Sequence, residues 1–119
     1  MHNYQELKVW QKAMTLVENT YKIYSELPKA EQFNFGSQIT RCALSIPSNI
    51  AEGAGRKSST EFKRFLDIAT GSSYELETQL ILIERIFKID TKEMIDQVVE
   101  VQKMIYALNR SFEKSTLVS

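Results

Sequence analysis

Three carboxylates, Glu75, Glu77 and Glu84, lie close together in the sequence and are potential metal ligands. A di-iron site in a helical bundle combines inward glutamates with Glu-x-x-His motifs on two helices. The only histidine of this chain is His2. The three glutamates also fall outside the apolar stripe of their segment, where solvated charges are usual. We therefore predict no functional metal ion and no cofactor.

Covalent catalysis has no better support in the residue types. The chain has one cysteine, Cys42, and without a second cysteine or histidine no Ser-His-Asp, Cys-His or zinc arrangement can be assembled. Cys42 falls on the apolar face of a predicted helix, where inert buried thiols usually lie. Residues 53–58 contain glycine, lysine and serine without the spacing of a phosphate-binding P-loop. We expect a protein that binds other molecules and is not an enzyme.

Residues 45–53 place Pro47 inside a helical pattern. Proline in a helix removes a backbone hydrogen bond and costs about 3 kcal/mol. We predict a kink at Pro47, offset by polar side chains that bond backbone carbonyls or reach a small polar patch, residues 71–73, on the next helix. The alternative is that the kink exposes Asn49 in a pocket for a small molecule or an enzymatic reaction. The polar residues of this kink are Ser45, Ser48, Asn49, Ser72 and Ser73.

Basic side chains are concentrated in the middle of the chain. The formal net charge is zero, yet residues 36–64 carry five basic and two acidic side chains, and residues 65–119 carry six basic and nine acidic ones. If nucleic acid is bound, we predict salt-sensitive contacts between its phosphates and these five basic residues. We assign no aromatic partner to them, so base stacking is not expected. A solvated basic face is the alternative. The five residues are Arg41, Arg56, Lys57, Lys63 and Arg64.

Four segments carry apolar residues at alternating spacings of three and four, which indicates four helices. Short connections near residues 55–58 and 88–91 require consecutive helices to turn back on themselves. We predict an all-α protein, an antiparallel up-down-up-down four-helix bundle, with residues 1–119 forming one domain. The four stripes are, in chain order, Leu7, Trp10, Met14, Val17, Tyr21 and Tyr24; Phe35, Ile39, Cys42, Ile46 and Ile50; Phe62, Leu66, Ala69, Ser73, Leu76, Leu80, Ile83 and Phe87; and Met94, Val98, Val101, Ile105, Leu108 and Phe112.

Capping residues predict where these helices begin and end. Asn3 can cap the first helix, and Leu27–Pro28 ends it. The second helix covers residues 35–56, with the glycines of residues 53–55 marking its fraying end. Ser58 to Glu61 form a capping box for the third helix, and Asp90 with Glu93 opens the fourth.

The third segment carries more apolar residues than one bundle seam should bury. Residues 80–83 are apolar on every side of the helix, and another apolar residue follows three positions later. We interpret the surplus as a contact with a second subunit; a wide intramolecular core is the alternative. The predicted contact residues are Leu80, Ile81, Leu82, Ile83 and Ile86.

The sequence also bears on where the protein resides. No apolar run approaches the ~20 residues of a membrane span, and the first residues lack the pattern of a secretory signal. We expect a cytoplasmic protein without a membrane partner.

Four of these motifs, residues 7–14, 45–53, 61–69 and 71–77, together resemble a known family over nearly the whole chain. It is the bacterial four-helix-bundle family named for proteins encoded in intervening sequences of 23S ribosomal RNA genes. The resemblance implies an antiparallel bundle that assembles into a ring of five subunits, with no established enzymatic activity and no cofactor. A related protein, the accessory protein of diversity-generating retroelements, forms a similar barrel, partners a reverse transcriptase and binds nucleic acid through a strongly basic surface. This chain departs from that relative in its net charge of zero.

Together, the residues and the resemblance predict a homo-oligomer that acts as a scaffold or adaptor. The predicted partner is RNA, a protein, or a protein that handles nucleic acid. The subunit number of five comes only from the resemblance.

Overall fold

The computed structural model describes the backbone of residues 3–118 and the side chains of residues 3–113. Its four long helices are α1 (Lys8–Glu26), α2 (Ser37–Ala54), α3 (Ser59–Phe87) and α4 (Lys92–Val118). Residues 3–118 contain no β-strand, and none of their helices combines the length and apolarity needed to cross a bilayer. The prediction of an all-α protein with four long helices is confirmed.

Short helical turns precede α1 and α2. A 3₁₀ turn, Tyr4–Glu6, is capped by Asn3, whose side-chain oxygen accepts a hydrogen bond from the backbone N–H of Gln5 at 3.2 Å. Before α2, the chain forms a single α-turn, Lys29–Glu31, and a π-helical segment, Gln32–Gly36. The ordinary α-helix therefore begins two residues later than predicted.

The caps of α3 and α4 follow the sequence closely. The Ser58 hydroxyl accepts a hydrogen bond from the backbone N–H of Glu61 at 3.2 Å, as the predicted capping box requires. The α3 helix ends at Phe87 and is followed by Lys88, whose φ of 61° lies in the left-handed region. Asp90 accepts from the backbone N–H of Lys92 at 3.0 Å, so the predicted capping aspartate lies two residues before the first residue of α4.

The helices contact one another in the order α1–α2, α2–α3, α3–α4 and α4–α1, which places α1 and α3 at opposite corners. Along the α2–α3 seam, Gln38 bonds to Gln79 at 3.2 Å and Ser45 bonds to Ser72 at 2.8 Å. Residue numbers rise along α2 as they fall along α3, as in antiparallel neighbours. The body is elongated, 53 × 20 × 19 Å.

The core lies along the axis of the bundle and receives side chains from all four helices. The predicted stripes of α3 and α4 are buried, apart from Phe87 and Leu108, which are half-buried. In α2 the three isoleucines are fully buried, whereas Phe35 and Cys42 are half-buried. Three of the four predicted stripes thus describe the core well.

The stripe predicted for α1 is on the wrong face. Met14 and Tyr21 are 41% and 58% exposed, and the residues that line the core each precede a predicted one. Both sets have the same spacing of three and four, so periodicity alone cannot choose between faces about 100° apart. The smaller residues allow α1 to approach its neighbours closely. The buried residues are Val9, Ala13, Leu16, Thr20 and Ile23.

Gly53 lies inside α2 and is buried, so the expectation that it marks a frayed helix end is wrong. A Cβ atom at this position would lie 2.8 Å from the Cβ of Phe65 and 2.9 Å from Cδ1 of Phe62. Such distances are too short for carbon atoms, so the absence of a side chain at Gly53 permits the close contact of α2 and α3. Gly36 permits a similar close contact, because a Cβ atom at this position would lie 2.5 Å from the ring of Tyr24.

We expect Gly53→Ala to lower the free energy of unfolding by about 1–3 kcal/mol, because the added methyl group forces apart well-packed atoms. Gly71→Ala is the matched control, since a Cβ at Gly71 would meet no atom within 4 Å. The control should raise the free energy of unfolding by about 0.5–1 kcal/mol through the helix preference of alanine over glycine. Urea unfolding of both variants measures the difference. Equal effects of the two substitutions would contradict the close contact at Gly53.

Candidate binding surfaces

Polar side chains around Pro47 bond within α2 and across to α3. Besides its bond to Ser72, Ser45 accepts hydrogen bonds from the side-chain amide of Asn49, at 2.7 Å to the backbone oxygen and 3.0 Å to the hydroxyl. The contact of Ser45 with Ser72 is the predicted reach to the next helix, whereas Asn49 bonds the carbonyl of Ser45 and not that of Ala43, which Pro47 deprives of its helical donor. The α2 helix continues through Pro47, which is buried; the kink itself stays a prediction.

Ser48 and Ser73 take no part in the predicted polar contacts between α2 and α3. Ser48 is exposed, and the Ser73 hydroxyl donates to the backbone oxygen of Thr70 in its own helix at 2.6 Å. The two N–H groups of Asn49 are engaged inside α2, and the side chain is half-buried. This arrangement supports a packing role for Asn49 and gives no support to a ligand pocket around it.

Cys42 faces Glu75 across the α2–α3 seam. Its thiol donates a hydrogen bond to the carboxylate, with the sulfur 3.5 Å from Oε2. Burial first, and then the negative charge of Glu75, raise the pKa of the Cys42 thiol above its ordinary value. A raised pKa lowers the thiolate fraction at neutral pH, and the thiolate is the nucleophile. The geometry therefore disfavours Cys42 as a reactive group.

The acidic residues do not converge on a metal site in the described part of the chain. Among residues 3–113, no group of three or more histidine, cysteine, aspartate or glutamate side chains is placed to hold a metal ion. Glu77 accepts a hydrogen bond from the side chain of Gln102 on α4 at 2.8 Å, whereas Glu75 bonds to Cys42 on α2. Glu84 is exposed. His2 lies outside the described residues.

Two of the five predicted basic residues, Arg56 and Arg64, lie together at the turn between α2 and α3. They line a cavity of about 230 Å³ whose other walls are Glu61, Phe65 and Ile68. The guanidinium carbon of Arg56 lies 4.8 Å from the centre of the Phe65 ring, within the range of cation–π contacts. The cavity therefore combines two cations with an aromatic ring.

The other basic residues do not extend this cavity into one patch. Lys63 forms an ion pair with Glu113 of α4, with Nζ 3.5 Å from Oε1. Arg41 lies on α2 about 20 Å along the axis from the end of that helix, and Arg56 lies in the turn that follows. Lys57 is exposed in the turn itself. Helix geometry places Arg41 and Lys63 away from Arg56 and Arg64, whereas Lys57 lies beside Arg56; nucleic-acid binding by the five residues stays a prediction.

Sequence reasoning missed the aromatic partner of this pair. Phe65 directly follows Arg64 in the sequence. An aromatic residue next to basic residues could have indicated a contact between the two. The contact with Arg56 depends on the turn that folds α3 back onto α2, and it overturns the expectation that no aromatic ring accompanies these residues.

The predicted oligomer contact divides between the core and the surface. Leu80 and Ile83 have no exposed surface, so they cannot contact a second subunit, and their part of the prediction is wrong. They point into the core because they continue the stripe of α3. Ile81 is half-buried, while Leu82 and Ile86 are 38% and 54% exposed.

Apolar side chains remain exposed on all four long helices, and on α1 and α3 two of them recur on one side of the helix. On α3, Leu82 and Ile86 lie one turn apart on the same side, 38% and 54% exposed; we call these two residues the α3 face. On α1, Met14 and Tyr21 lie about two turns apart on one side and form the α1 face. Because α1 and α3 lie at opposite corners of the bundle, the two faces are available on different sides of the subunit.

Comparison with known proteins agrees with this fold. The family model described as 23S rRNA-intervening sequence protein matches residues 5–107. Among solved structures, the chain is similar to a protein of unknown function from the S23 ribosomal protein family of Bacteroides thetaiotaomicron. The two share 25% sequence identity with a TM-score of 0.79, and the match covers 85% of this chain and 97% of that one. A search of curated proteins gives no match.

Proposed function

The chain belongs to the 23S rRNA-intervening sequence protein family, and from this premise we propose that it is a non-enzymatic homo-oligomeric scaffold or adaptor for an RNA or protein partner. The main observation that supports this proposal is the pair of exposed apolar faces on α1 and α3. Exposed apolar groups that recur on one side of an element, unlike scattered ones, mark interaction surfaces.

The positions of the two faces favour a ring over a two-fold dimer. A two-fold dimer pairs one patch with itself, whereas a ring pairs one surface of a subunit with a different surface of the next. We propose that the α1 face of each subunit packs on the α3 face of its neighbour. The subunit number of five is taken from the resemblance to the family.

The ionisable groups of the described residues support a role in binding more than one in catalysis. Their ion pairs, such as that of Lys12 with Glu100 at 2.8 Å, lie on the surface with about half of each side chain exposed. Perturbed pKa values of buried groups are common at catalytic sites. Burial and the negative charge of Glu75 raise the pKa of the Cys42 thiol, which makes this group less reactive.

Light scattering of the purified protein at micromolar concentration tests the proposal. We expect the mass of a closed oligomer, five times that of the 13.8 kDa subunit, with no dependence on further concentration. Masses that keep rising with concentration would indicate open, filament-like association. A monomer at this concentration would end the proposal, because the two apolar faces would then have no partner.

A further inference from the structure

The cavity at the α2–α3 turn presents three kinds of surface within one small volume. Arg56 lies over Phe65, yet its side chain is still 43% exposed, so its guanidinium remains accessible to a ligand. Arg64 supplies a second cation, and Ile68 supplies an apolar wall. Planar guanidinium groups both stack on rings and donate hydrogen bonds to phosphate oxygens.

Neighbouring residues hold Arg56 in this position. Its Nη2 lies 3.5 Å from the Oε1 of Glu52, one turn earlier on α2. Exposed pairs of this kind add little stability, but the carboxylate and the ring together restrict where the guanidinium can lie. The Cβ of Phe65 lies at the close α2–α3 contact beside Gly53, which fixes where the Phe65 side chain begins. The site is thus organised before any ligand arrives.

The volume of the cavity, about 230 Å³, limits what it can hold. Pockets for drug-sized ligands usually measure ~300–1,000 Å³. A single planar ring with an attached phosphate suits this space better than a complete dinucleotide cofactor does.

We propose that this cavity binds an unpaired nucleotide of single-stranded RNA, with the base stacked on the guanidinium of Arg56 and the phosphate contacted by Arg64. Bases of single strands stack on aromatic rings and on arginine planes in this manner. The inference deepens the scaffold proposal and rests on it for the assembly that presents the site; in a ring, each subunit would contribute one such contact, and several weak contacts would act together.

Glu61 decides between RNA and an acidic peptide as the occupant. Glu61 also lines the cavity, and its negative charge disfavours phosphates and acidic side chains alike, so hydrogen bonding must separate the two occupants. A carboxylate can accept hydrogen bonds from the exocyclic amino group of a base, as it does from cytosine. The mixture of two cations, one anion and a stacking surface therefore fits a base with its phosphate.

The test compares two labelled probes by fluorescence anisotropy at low salt. One probe is a cytidine oligoribonucleotide of about ten nucleotides, within the range of site sizes for single-strand binders. The other is an abasic sugar–phosphate oligomer of equal length and charge. We expect the cytidine probe to bind about tenfold more tightly, the factor that one stacking contact provides.

Substitutions then separate stacking from charge. Arg56→Lys keeps the charge and removes the planar group, so it should abolish the preference for the cytidine probe. Arg64→Gln should weaken the binding of both probes and reduce the dependence on salt. Lys63→Gln is the matched control, because Lys63 precedes Arg64 in sequence but pairs with Glu113 on another seam; it should leave the preference unchanged.

Each result supports or overturns the proposal. Equal binding of the two probes, no binding of either, or an Arg56→Lys variant that keeps the preference would overturn it. Tighter binding of a poly-glutamate peptide than of the cytidine probe would assign the cavity to acidic peptides instead. Light scattering on the same samples tests the assembly proposal independently of the RNA site. A monomer that still prefers the cytidine probe would refute the ring and leave the RNA site supported.

Discussion

Leu80→Ala is expected to lower the free energy of unfolding by about 2–5 kcal/mol, the range for truncating a buried leucine. Leu80 has no exposed surface, so the lost methyl groups leave a cavity that its neighbours fill only in part. Its backbone oxygen also accepts a hydrogen bond from the buried hydroxyl of Thr91 at 2.9 Å, which ties the α3–α4 turn to this level of the core. Urea unfolding followed by circular dichroism measures the loss.

Leu44→Ala is the control for this prediction, because it makes the same chemical change at a side chain that is 54% exposed. Its effect should stay within about 1 kcal/mol, as for most surface substitutions. If Leu80→Ala were as mild as Leu44→Ala, the assignment of Leu80 to the core would be wrong.

Replacing Leu82 and Ile86 together by glutamate is expected to convert the oligomer into folded monomers. Both side chains belong to the α3 face, and two carboxylates there would lose their hydration on assembly without gaining partners. Light scattering should report a subunit mass, and the helical content should remain that of the parent protein because neither residue belongs to the core.

Arg85→Glu provides the matched control, since Arg85 lies on the same turn of α3 but outside the α3 face and is exposed. This charge reversal should leave the oligomer intact. The opposite surface offers a second check, because Tyr21→Glu on the α1 face should also release monomers if unlike faces meet. An oligomer that survives both the Leu82 and Ile86 substitutions would place the interface elsewhere.

Two contacts at the candidate sites differ in whether the sequence could predict them. The contact between Ser45 and Ser72 follows from a requirement that is local: a proline inside a helix needs polar compensation, and small polar residues were available on the next helix. The stack of Arg56 on Phe65 has no such local requirement. It depends on the angle and depth at which α3 returns along α2, and these depend on the missing side chain at Gly53.

The sequence alone was sufficient for the number of long helices, the N-cap of α3 and the buried faces of α3 and α4. These features are local: a capping serine such as Ser58 acts on a backbone group three residues away, and a long stripe that begins at Phe62 permits one buried face. Each could be deduced without knowing what lay opposite.

Tertiary structure alone decided which face of α1 is buried and how residues 80–86 divide between core and surface. It also decided that Arg56 and Arg64 line the same cavity. In α1, Ala13 and Met14 begin equally good stripes, and only the close approach of neighbouring helices selects the smaller one for the interior. The aromatic and apolar residues left outside became the α1 face. The physical reason is the same in all three cases: periodicity specifies that one side of a helix is apolar, whereas burial depends on the distance and shape of the partner surface.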